Sequence, residues 1–177
     1  TYLIEEDITI LNTSGVETTF DVALGLASTS LAGEKDRYNR TRVAYFTGSG
    51  LEQEDDADDL EEDGLKAEAG FAWAGIMGNY FLLATVPVAK TSSLEATFED
   101  DAFITSLHDQ VKLSDQSSSE LKYAHYFGPK ANQALVDAEN ELFRALRYGF
   151  FDVLSKPLMK FLNFLEKYVK NYGVAII

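Results

Sequence analysis

His108 and His125 are the two imidazoles of the chain. Proton transfer near neutral pH needs such a ring, or a carboxylate with a raised pKa, held by a partner. Neither histidine has a recognisable neighbour pattern. His125 falls in a strand-like run, where a packed or edge histidine is the ordinary occupant. There is no H-x-x-H, no P-loop and no G-x-S-x-G. Carboxylates are so plentiful, 29 in 177 residues, that pairs of them single out nothing. The run Glu52–Asp63 carries nine acidic residues in twelve positions. Asp59, Glu61, Asp63 and Gly64 begin like a calcium loop, but its twelfth position falls on Gly70 instead of a bidentate glutamate. Residues 51–64 are therefore expected to be a solvated acidic loop between strands. No catalytic residue, metal or cofactor is assigned, and the chain is expected not to be an enzyme.

The positioning elements come from patterning. Length fits one domain with a sizeable core. Hydrophobic residues make up 46% and aromatics 12%, which excludes wholesale disorder. A net charge of -14 excludes nucleic acid, which requires a dense positive surface. Cysteine is absent, so disulfide and thiolate chemistry are excluded. No run is apolar for long enough to span a membrane as a helix. The charge is lopsided. Residues 1–121 hold 7 Lys/Arg against 24 Asp/Glu, and residues 122–177 hold 8 against 5. A soluble body and a tail with a different neighbour are expected, with a boundary near residue 130.

The body, 1–130, reads as mainly β. Val16, Thr18, Phe20, Val22, Leu24 and Leu26 alternate with smaller or polar residues, giving a strand with one buried face. Asn12-Thr13-Ser14-Gly15 is expected to join it as a hairpin to Asp7–Leu11. Val43–Phe46 is a short strand. Phe71–Met77 and Tyr80–Val86 are apolar on both faces, as strands covered on both sides are. Ala96–Phe98, Ala102–Leu107 and Leu121–Phe127 complete the set.

In the tail, 131–177, the period changes. Leu135, Ala138, Leu142, Phe143, Ala145 and Leu146 recur at helical spacing, with an end expected at Tyr148-Gly149. Pro157 opens a second helix, 157–172. Leu158, Phe161, Leu162, Leu165, Tyr168, Val169 and Tyr172 form its apolar stripe, and Lys156, Lys160, Lys167 and Lys170 lie opposite. Either the stripe packs on the body, or it lies in a membrane interface with lysines near the phosphates. The flanking tyrosines and the apolar Gly173–Ile177 favour the membrane. That final run is expected to stand at a boundary with further chain.

Several blocks together resemble the YidC family of membrane protein insertases. Leu146-Arg147-Tyr148-Gly149-Phe150-Phe151, Lys156-Pro157-Leu158 and Asn171–Ile177 are similar to the family's link from its periplasmic domain to its second transmembrane helix. Tyr126-Phe127-Gly128-Pro129-Lys130 resembles a strand end of that domain, and Gly70–Phe81 resembles its "GWxAMxxxYF" block. The blocks come in family order. The tail differs in having Phe or Tyr where the family usually has Trp.

The resemblance implies a β-supersandwich, a two-sheet antiparallel sandwich, followed by C-terminal α-helices. It also implies a periplasmic position at the bacterial inner membrane. Insertase activity would then reside in a transmembrane bundle outside this chain. Expected partners are the inner-membrane lipid surface, the parent's own bundle, Sec translocase subunits and nascent membrane proteins. The contact residues would be Phe150, Phe151, Leu158, Lys160, Phe161, Leu162, Leu165, Lys167, Tyr168 and Tyr172. The competing expectation is a carbohydrate-binding or mutarotase-like sandwich, in which Trp73 would have to serve as an exposed platform.

Overall fold

The strands apolar on both faces go to the middle of the larger of two sheets, while alternating strands make up the smaller one. The computed structural model describes residues 2–31, 40–87 and 92–146. By contacts the chain divides into two units, Thr1–Ala145 and Leu146–Ile177; the first is described here.

Its strands are β1 (Leu3–Leu11), β2 (Thr18–Ser28), β3 (Arg42–Phe46), β4 (Leu51–Glu54), β5 (Leu65–Ala67), β6 (Trp73–Met77), β7 (Phe81–Pro87), β8 (Ser93–Glu99), β9 (Ala102–Leu113) and β10 (Ser118–Pro129). One sheet has the order β1-β10-β7-β6-β3-β4 and the other β2-β9-β8-β5. All described pairings are antiparallel. The expected two-sheet sandwich is the observed architecture.

Among the described residues, two apolar clusters join the sheets. In one, Val43 and Ile76 of the larger sheet pack with Ala96 and Phe103 of the smaller. In the other, Phe71 and Ala74 pack with Leu94 and Leu107. β6 is buried at all five positions because its other face is covered too. There α2 (Asn132–Asp137) and a 3₁₀ turn, Leu142–Ala145, bury Leu135, Leu142 and Ala145. Trp73 Nε1 donates to the Glu141 carbonyl oxygen at 3.3 Å, and the Arg144 guanidinium lies 5.7 Å from the Phe46 ring centroid. The doubly apolar sequence of β6 and β7 thus reflects two coverings. Gly75 faces the helical side, where a Cβ would overlap the Leu83 carbonyl and come within 2.6 Å of Ala84 Cα.

Three expectations change. Asn12–Gly15 does not close a hairpin: β1 pairs with β10 and β2 with β9, so the turn carries the chain from one sheet to the other. The alternation was real, but it does not say which strand lies alongside. The acidic segment 51–64 is not a loop. It forms β4, helix α1 (Ala57–Glu62) and a turn into β5. Asp56 caps α1, accepting from the Asp58 and Asp59 amides at 3.0 and 3.5 Å. Leu60, alone among carboxylates, is fully buried in the inter-sheet core and fixes the helix. Gly64, with φ +64, ends it in the left-handed conformation that glycine adopts without a Cβ clash. Finally, the helix expected through 135–146 is interrupted by Glu139, Asn140 and Glu141, all left-handed. Leu135, Ala138, Leu142 and Ala145 all reach the buried side, an outcome that a straight helix and a broken one share in sequence.

Candidate functional site

Polar residues at inward strand positions stand out in an apolar sandwich. Along β10, Tyr123 and His125 both face the second sheet. Tyr123 Oη donates to Asp109 Oδ2 of β9 at 2.5 Å, and Ser92 Oγ donates to the same oxygen at 2.7 Å. Burial, followed by that bond to a carboxylate, pushes the Tyr123 phenol well above its ordinary pKa. His125 Nδ1 lies 3.1 Å from Thr85 Oγ1, and Nε2 lies 2.8 Å from Glu6 Oε2. The ring stacks on Phe127 at 6.0 Å. Glu6, opposite Tyr123 in the register, completes a polar layer binding β1, β10 and β7 and linking β10 to β9. Sequence reasoning passed over Glu6, Asp109 and Tyr123. Their signal was a polar residue at the inward phase of an apolar alternation, as in Ile4-x-Glu6-x-Ile8-x-Ile10.

The layer is saturated with its own bonds, as buried polar groups must be. It holds β1, β10 and β7 together and ties the two sheets to each other. His108 is different, lying on the outer face of the smaller sheet between Asp21 (3.6 Å) and Glu95 (3.8 Å). Those separations are too long for hydrogen bonds. Glu95 is engaged by Lys66 at 2.8 Å, and that bond holds its carboxyl below the usual range. Trp73 is fully buried, so it cannot offer a platform to a sugar ring. Among the described residues no three metal-ligating groups converge, and no helix is long and apolar enough to cross a membrane.

A cleft of 720 Å³ lies on the helical side of the six-stranded sheet. Val86, Pro87 and Ala124 line it together with Glu5, Asp7 and Glu139. Its described lining includes no histidine, and the Lys122 ammonium there is already paired with Asp7 at 3.5 Å. The contact residues expected in the tail, Phe150 to Tyr172, lie outside the described residues.

A family model described as the YidC periplasmic domain matches residues 1–161. The chain belongs to the YidC periplasmic domain family. A membrane protein insertase YidC of Maridesulfovibrio salexigens is 37% identical over 176 residues, covering 99% of this chain and 33% of that protein. One from Oleidesulfovibrio alaskensis is 36% identical over 178 residues, with 100% and 33% covered. The chain thus spans about a third of the length of these YidC relatives. A galactose mutarotase related enzyme from Lactobacillus acidophilus superposes with a TM-score of 0.50 at 10% identity, over 71% of this chain and 57% of that one. That likeness is one of fold. In this YidC domain the inward histidine is committed to Glu6 and Thr85, and the tryptophan is core.

Proposed function

We propose that this chain is a non-catalytic periplasmic part of a membrane protein insertase of the bacterial inner membrane, offering surfaces to lipid and to protein partners. The family match across residues 1–161 carries this reading. It is supported by a sandwich whose interior polar groups bond to one another. The insertion step itself belongs to the remainder of the parent protein. This domain holds a fixed position beside it.

In this reading the tail provides the lipid contact. Phe150, Phe151, Leu158, Phe161, Leu162, Leu165, Tyr168 and Tyr172 meet the acyl boundary, and Lys160 and Lys167 meet the headgroups. Fully burying a Leu or Phe contributes about 1.5–3 kcal/mol, against roughly 1 kcal/mol for a lysine near an anionic surface. The apolar stripe therefore dominates. Sec translocase subunits and nascent membrane proteins are the protein partners to test, by photo-crosslinking from this domain within the full-length parent.

The deciding experiment pairs Leu162→Asp with Leu165→Asp. Vesicle binding should be lost while the thermal melt of the sandwich is unchanged. Loss of folding instead would make the stripe part of the core and remove the membrane reading.

A further inference from the structure

Five large apolar side chains are exposed at one end of the described unit: Tyr80 (70%), Ile4 (57%), Phe81 (51%), Tyr2 (50%) and Phe127 (39%). The register explains why they are together. Ile4 lies opposite His125, Phe127 opposite Leu83, and Phe81 opposite Pro129. Ile4, Phe127 and Phe81 therefore share one face on three adjacent strands, within the reach of diagonal neighbours. Tyr80 occupies the β6–β7 turn beside them, where its carbonyl accepts from the Lys130 amide. The Tyr2 ring folds over Gly128, where an added Cβ would come within 2.7 Å of it.

Charge separates this end from the rest. The chain has 29 acidic residues, yet none falls between Ala69 and Ser93 or between Leu121 and Val136, the stretches that supply Tyr80, Phe81 and Phe127; β1, which supplies Tyr2 and Ile4, runs on into Glu5, Glu6 and Asp7. Two cations stand there instead. Arg42 pairs in register with Met77, and Lys130 Nζ lies 3.6 Å from Met77 Sδ and 3.1 Å from the Gly78 carbonyl. Among the described residues neither forms an ion pair with a carboxylate. Arg42 donates from its terminal nitrogens to Gln53 Oε1 at 3.1 Å and the Arg40 carbonyl at 3.4 Å, while its Nε has no hydrogen-bond partner.

We infer that this aromatic end, with Arg42 and Lys130 behind it, is a second docking surface for the anionic bilayer interface, in addition to the tail. The inference rests on the membrane reading above. Tyrosine and phenylalanine beside cations that no described carboxylate neutralises match the boundary between acyl chains and phosphates. The 720 Å³ cleft and the smaller one beside His108 are lined by other residues. A projecting turn without a concavity suits a planar apolar medium better than a shaped peptide.

The test uses the whole chain and vesicles of phosphatidylethanolamine with phosphatidylglycerol. Tyr80→Ser with Phe81→Ser changes two exposed turn residues and should leave the melt unchanged. It should weaken vesicle partitioning about tenfold, the effect of removing two partly buried aromatic anchors. Lys130→Met should weaken it several-fold on these vesicles and not on phosphatidylcholine alone. The tail pair Leu162→Asp and Leu165→Asp is run alongside. Loss in the tail variant with full binding by the tip variant overturns the second surface and leaves the membrane reading standing. Full binding by both overturns both. A wild-type dimer in the absence of vesicles, dissolved by the tip substitutions, assigns the patch to a second copy and likewise overturns the inference.

Discussion

The side-chain amide of Asn12 donates to the carbonyl oxygen of Leu113 at 2.9 Å, across 101 positions of sequence. The same amide donates to the Val16 carbonyl at 2.8 Å, and Oδ1 accepts from the Ser14 amide and hydroxyl. The Asn12 backbone bonds to Ser117 and Gln116. One buried residue thus ties the β1–β2 crossing to the β9–β10 turn, the two places where the chain changes sheets at this end.

Replacing Asn12 by alanine leaves the Leu113 carbonyl without this donor in a buried position. A cost of about 2–4 kcal/mol is expected, from two lost bonds and a desolvated acceptor. Urea unfolding measures it. Ser14→Ala, at the exposed side of the turn, should cost under about 1 kcal/mol; equal costs would refute the hub role of Asn12.

Tyr123 sets an alkaline limit. Its phenol stays neutral in the folded protein at pH values where the unfolded chain has begun to ionise. The folded state then holds more protons, so stability falls as pH rises beyond about 10. Tyr123→Phe should flatten that part of the profile and, at neutral pH, cost about 1.5–3 kcal/mol for the bond lost to Asp109. An unchanged alkaline slope would place the titration elsewhere.

Lys130 acts with the opposite sign. Burial, with a contribution from Arg42, brings its pKa down to about 8, against about 10.4 in an unfolded chain. Between those values the unfolded state binds more protons, so stability should rise with pH from about 8 to 10. Thermal melts of Lys130→Met across that window should lack the rise.

Gly75→Ala should destabilise the sandwich by about 1–3 kcal/mol, because the added methyl meets the backbone of β7 rather than a movable side chain. A melt within error of wild type would mean that β6 and β7 can separate there without cost.

Much of the architecture was legible because period-two alternation and continuous apolar runs have few other solutions. β2, β6, β7 and β10 lie where their patterns placed them. Partnership was not legible: nothing in Asp7–Leu11 or Val16–Leu26 says that the strands belong to different sheets. The acidic segment hid its structure because one leucine, Leu60, does the burying while its neighbours face water. The polar layer was harder still. Glu6, Asp109 and Tyr123 become a unit only once β1, β9 and β10 are brought together from distant parts of the chain. Trp73 looked ambiguous between platform and core, and its bond to Glu141 depends on a turn that helical spacing did not foretell.

The strand pairing has a kinetic corollary. Leu3 sits opposite Tyr126 and Thr18 opposite Leu113, so the first two strands have no local mate. Within these residues their mates come only with the long β9–β10 segment, and contacts so distant close slowly. Until that late event β2, eleven residues with a single charge, presents a bare margin that invites wrong pairing. Its safe arrival depends on how quickly residues 102–129 follow it, or on something that holds it meanwhile.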